Sequence, residues 1–72
     1  MNFEITDKRE YKTTHWYVES ENDNYNVICQ EGDLEDEWII RGEYKDEIHI
    51  HSYLGVKLID MCKNDNSKPS DY

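Results

Sequence analysis

The sequence is poor in the residues that most function classes need. Its two cysteines, Cys29 and Cys62, form no C-x-x-C pair and are too few for the disulfide framework of a small secreted domain. Both are expected as reduced, partly buried thiols. Three glycines, at positions 32, 42 and 55, are dispersed and make no Gly-rich phosphate loop. No apolar run approaches the length of a membrane span, and no Asn-x-Ser/Thr acceptor occurs. The opening stretch MNFEIT has neither the basic nor the apolar region of a secretory signal, so a soluble protein of the cytoplasm is expected. Bases are scarce as well, with 8 Lys and Arg against 17 Asp and Glu. The net charge of −9 has the wrong sign for direct binding of nucleic acid, despite the aromatic content.

What remains is a chain of 72 residues, 36% hydrophobic and 35% charged, near the lower size limit for unaided folding. Six tyrosines and two tryptophans offset the small apolar fraction, because each aromatic buries a large area. A marginal folded domain over residues 1–63 is expected, followed by a disordered tail, 64–72, with no apolar residue before Tyr72.

Hydrophobic alternation predicts a short strand over residues 2–6, with Phe3 and Ile5 on one side, and a polar connection over 7–12. Residues 13–19 place Thr14, Trp16 and Val18 on one face, and SENDN supplies turn residues before Tyr25, Val27 and Cys29 alternate with Asn26, Ile28 and Gln30. A second hairpin follows, with Trp38 and Ile40 on one face of 37–41, a turn from Gly42 to Asp46, and Ile48 and Ile50 alternating with His49 and His51. Leu54, Leu58, Ile59, Met61 and Cys62 then fall on one arc of a helical wheel, with Ser52 as the N-cap. Gly55 weakens the helix by roughly 1 kcal/mol relative to alanine. The fold class is α+β, an antiparallel sheet of about five strands with a short C-terminal helix; an all-β chain with a sixth strand is the alternative.

The charge map is the strongest functional signal. Residues 19–47 hold eleven acids, Glu19, Glu21, Asp23, Glu31, Asp33, Glu35, Asp36, Glu37, Glu43, Asp46 and Glu47, against Arg41 and Lys45 alone. The flanking segments are neutral, so this one stretch carries the whole net charge of −9. Dense like charge destabilises a compact state, and fold-making does not require it to cluster. Alternate strand residues stand about 6.6 Å apart, so Glu35 with Glu37, or Glu19 with Glu21, are expected at that spacing, and two or three such rows together would match the charge density of a DNA strand, with one charge every ~3.4 Å. A plainer reading is that the acids keep a tyrosine-rich domain in solution and guard sheet edges from pairing.

Other constellations are weaker. DLEDEW lacks the sixth-position glycine of a calcium loop. His49 and His51 are expected on one face of a strand, and with His15 fall short of a four-ligand zinc site. Ser20, Ser52, Ser67 and Ser70 sit in turns, a cap and the tail, with no oriented base, so no enzyme, metal or cofactor is expected. The expected partner is a basic nucleic-acid-binding protein: a nuclease, CRISPR effector, restriction enzyme or polymerase whose phosphate-gripping channel the eleven acids would fill. In size, charge and implied mechanism the chain is similar to phage anti-defence inhibitors of the anti-CRISPR and anti-restriction kind, and to nuclease immunity proteins, although no motif ties it to them. A non-enzymatic interaction module, joined as a homodimer along a sheet edge, is the second expectation.

Overall fold

A computed structural model of the chain describes residues 2–69. Five strands, β1 (Glu4–Glu10), β2 (Thr13–Glu19), β3 (Asn24–Gln30), β4 (Glu37–Arg41) and β5 (Glu47–Ile48), precede the helix α1 (Tyr53–Lys63). Each strand pairs antiparallel with its neighbour in sequence, which gives an open meander in the order β1-β2-β3-β4-β5. This is the α+β architecture expected, and α1 stands where the all-β alternative needs a sixth strand.

The register sorts the sheet into two faces. Lys8, Trp16, Val27, Ile40 and Ile48 lie in one cross-strand row, flanked by Ile5, Val18 and Tyr25 on one side and by Thr14, Cys29 and Trp38 on the other. On this face Trp16, Val18, Val27 and Ile40 are buried under Leu58, Ile59 and Cys62 of α1. Full burial of such side chains stabilises by about 1.5–3 kcal/mol each. Trp16 and Trp38 stack with centroids 5.6 Å apart, reaching across β3. The opposite face, with His15, Tyr17, Ile28 and Ile39, carries no covering element among the described residues.

Ser52 is the N-cap, as its position predicts: its backbone is extended and its hydroxyl accepts from the Gly55 N–H at 3.0 Å. Gly55 is buried, and a Cβ there would collide with the His49 carbonyl, so the helix start presses directly on the 49–50 backbone. The intrinsic weakness of glycine in a helix is the condition for that close approach.

Three features depart from expectation. β1 runs on through Glu10, so the connection to β2 shrinks to Tyr11 and Lys12. A bulge between Ile5 and Asp7 shifts the alternation, and the Thr6 hydroxyl donates to the Tyr17 carbonyl at 3.1 Å. After the bulge Lys8 points to the core face, with its ammonium 5.7 Å from the Trp16 ring centroid. β5 stops at Ile48, because the chain turns at 49–52 to start the helix and Ser52 N–H donates to the His49 carbonyl at 3.0 Å. Of the stretch 64–72 expected to be disordered, Asp65, Ser67 and Lys68 lie against β1; 70–72 are outside the described residues. Lys8 donates to the Ser67 carbonyl at 3.0 Å and pairs with Asp65 at 3.8 Å, while Trp16 Nε1 donates to Asp65 at 3.2 Å.

Candidate functional site

A meander places alternate connections at the same end of its sheet, and this decides where the acids go. The β2–β3 and β4–β5 turns share one end, where Asn24 Nδ2 donates to Glu43 Oε1 at 3.5 Å. Glu19, Glu21, Asp23, Glu43, Asp46 and Glu47 gather there, joined by Glu4, which stands opposite Glu19. Arg41, opposite Glu47, and Lys45 lie at this near end as well. Glu31, Asp33, Glu35, Asp36 and Glu37 occupy the far end, in the β3–β4 connection and at the start of β4. The structure therefore divides the acidic stretch into two clusters, set apart by the length of β3, about 20 Å for its six steps at ~3.3 Å per residue.

All eleven residues are exposed. The ion pairs among the described residues, Lys8 with Glu10 and Asp65 and Arg9 with Asp7, include none of them. The expected rows on regular strands do not form. Glu35 lies in the loop before Glu37 opens β4, and Glu21 lies in a turn beyond Glu19. The loop takes its shape from Gly32, where a Cβ would collide with the Glu35 carbonyl. At its tip Leu34 is 100% exposed between Asp33 and Glu35, an apolar side chain that alternation alone does not single out.

The near end also holds a cleft of about 500 Å³ between the β2–β3 turn and the first turns of α1. Phe3, Tyr25 and Leu54 form its apolar side, with Phe3 and Tyr25 edge-to-face at 6.2 Å. Glu21 and Asp23 stand at its rim, and the Tyr25 hydroxyl donates to Asp23 Oδ2 at 3.4 Å. Burial, followed by the charge of Asp23, raises the Tyr25 pKa. Tyr53 and Lys57 close the helical side, with the Lys57 ammonium 4.8 Å from the Tyr53 ring centroid. These residues are far apart in sequence, and only the folding of α1 onto the near end of the sheet brings them together.

The remaining candidates are placed as follows. His49 and His51 lie in the turn before α1, with rings 5.6 Å apart and the His51 N–H donating to His49 Nδ1 at 3.1 Å, so they do not project from one strand face. His15 is bound to Thr13 Oγ1 at 2.9 Å on β2. Among the described residues no group of three or more His, Cys, Asp or Glu is arranged to hold a metal ion. Both cysteines are free thiols. Burial, with Asp36 and Glu31 adding, pushes the Cys29 pKa up, and burial pushes Cys62 up to about 12, so both stay protonated at neutral pH. Among the described residues no helix is long and apolar enough to cross a membrane.

Scanned against models of known protein families, and searched against curated proteins and solved structures, the chain finds no match.

Proposed function

We propose that this protein binds a basic nucleic-acid-binding protein and occupies the surface with which that partner holds phosphates. The observation that carries the reading is the set of eleven exposed carboxylates outside every ion pair among the described residues. Their mutual repulsion opposes folding, and a cationic surface relieves it. The two clusters stand about 20 Å apart, close to six phosphate steps of ~3.4 Å along a DNA strand. A lysine- and arginine-lined channel would meet both ends at once and displace the cations gathered around the carboxylates, as it displaces those around nucleic acid. Leu34 at the far tip supplies an apolar contact within the charged field, of the kind that adds residence time after electrostatic encounter.

In this reading the protein is a non-enzymatic inhibitor without a cofactor and acts in the cytoplasm, that of the host cell if it is phage-encoded. Its partner is a nuclease, CRISPR effector, restriction enzyme or polymerase, in the manner of anti-CRISPR and anti-restriction proteins. The test is capture from a host-cell lysate at low and at high salt, followed by DNA-binding titrations of each captured protein with and without this one. Capture that weakens with salt and competes with DNA is expected. Capture indifferent to salt, with DNA binding unchanged, would refute the proposal.

A second reading is an interaction module, and one observation favours a face over an edge. The edge strand β1 carries a bulge and the charged run Asp7–Lys8–Arg9–Glu10, and β5 has two residues, features that discourage edge pairing. The uncovered face instead presents Ile28 and Ile39 half-buried beside Tyr17. Sedimentation of the wild type and of Ile39→Lys tests whether copies join through that face.

A further inference from the structure

We propose that the near-end cleft seats an arginine side chain of the basic partner, an inference that rests on the function proposed above. The walls are aromatic, the rim is anionic, and the two features select the same ligand. The faces of aromatic rings attract cations. The Tyr53 ring already does so within the chain, because Lys57 lies over it at 4.8 Å while the residue remains 77% exposed. An apolar occupant would strip water from Glu21 and Asp23 without replacing their hydrogen bonds, and an anion would be repelled. A cation with an apolar stem satisfies both surfaces, its stem against Phe3 and Leu54 and its head between Tyr53 and the carboxylates.

Arginine fits better than lysine. Its planar guanidinium stacks on a ring and donates in parallel to a carboxylate, which a compact ammonium does not. The cleft, at about 500 Å³, is within the roughly 300–1,000 Å³ of ligand pockets. Asp23, on its rim, is also fixed in place. Ser20 N–H donates to the Asp23 carbonyl at 2.8 Å, Asp23 N–H donates to Ser20 Oγ at 3.2 Å, and the Tyr25 hydroxyl holds the Asp23 carboxylate. A pre-set rim lowers the ordering cost of binding. Lys57 is then a resident competitor that an incoming guanidinium displaces from Tyr53.

The experiment titrates isotope-labelled protein with a short oligo-arginine peptide and with oligo-lysine of equal length, followed by NMR. The largest shifts are expected at Phe3, Tyr25 and Tyr53, with oligo-arginine the tighter ligand. Tyr53→Leu, which keeps the bulk and the helix but removes the ring, should weaken oligo-arginine about two- to fivefold, the size of an exposed cation–π contact. Lys57→Gln should strengthen it more than Lys63→Gln, a variant of equal net charge at the other end of α1. The paired change Glu21→Gln with Asp23→Asn should weaken it beyond Tyr53→Leu. If these cleft variants bind as the wild type does, while Glu35→Gln, Asp36→Asn and Glu37→Gln together abolish binding, the cleft proposal falls and the acidic-inhibitor reading survives. If the wild type shows no salt-dependent binding to either peptide, both fall.

Discussion

Replacing Asp65 with Asn tests the least expected contact in the fold. The Lys8 and Asp65 side chains are 12% and 13% exposed, between a surface ion pair and a buried one. Exposed pairs contribute about 0–1 kcal/mol, and breaking a buried pair costs about 3–5 kcal/mol, so about 2 kcal/mol is expected here. Asn retains one acceptor oxygen, enough for Trp16 Nε1, and Lys8 retains the Ser67 carbonyl, so the loss combines the charge with the Ser67 N–H bond to the second carboxylate oxygen. A domain of this size has a total stability of about 4–10 kcal/mol. The variant should therefore melt about 8–16 °C below the wild type. The pH dependence provides a second, independent reading. Desolvation works against the charged form of Asp65, but hydrogen bonds from Ser67 and Trp16 and the charge of Lys8 outweigh it and hold the carboxyl below its ordinary value of 3.8. Because the folded pKa is depressed, the stabilisation is fully present above the unfolded value and is lost as pH falls through the folded one. Wild type and Asp65→Asn should thus differ at neutral pH and converge in strong acid. Adding Lys8→Met to Asp65→Asn removes an ammonium left with Glu10, at 3.8 Å, as its ion-pair partner and should recover part of the loss. An unchanged melting temperature in Asp65→Asn at neutral pH, read by tryptophan fluorescence, would refute the role assigned to the pair.

Three further outcomes are expected. Glu35→Gln, Asp36→Gln and Glu37→Gln together should leave the melting temperature unchanged or raised, since all three are exposed and self-repulsion falls, while slowing association with a basic partner and flattening its salt dependence in stopped-flow measurements. Lys45 adopts a left-handed φ of 64° in the β4–β5 turn, so Lys45→Gly should stabilise the domain by about 0.5–1 kcal/mol in urea melts. Reductant should leave the melting temperature unchanged, and a thiol reagent at mildly alkaline pH should label Cys29 well before Cys62, whose pKa is pushed up to about 12.

The parts of the fold that alternation and capping control are legible in the sequence. β2 and β4 begin and end where the patterning of Trp16, Val18, Trp38 and Ile40 places them, and Ser52 marks the helix start. The second half of β1 is not legible, because TDKRE has no apolar alternation. Its pairing comes from the β2 backbone across a bulge, and Lys8 is tolerated on the core side by Asp65 and Ser67 from beyond α1. Ile50 reads as a strand residue, but the approach that Gly55 permits turns the chain toward the helix before it. The acids were identifiable as surface residues from their number alone, whereas their division into two clusters depends on the strand order. The cleft joins Phe3, just ahead of β1, with Tyr25 of β3 and Tyr53 of α1, a juxtaposition that local patterning does not encode.

The meander also gives the molecule a rule of parity. Between strands, connections after even-numbered strands emerge at the near end and those after odd-numbered strands at the far end, while the two-residue β5 stops short and hands the chain to α1 at the near end. The two ends are thus written by separate, interleaved stretches of the chain, and each can change in length or charge with the scaffold and the opposite end left in place. A partner contacting both ends would be read at two addresses that mutate independently. Loss of one strand with its following turn would reverse the assignment, sending every later connection to the other pole.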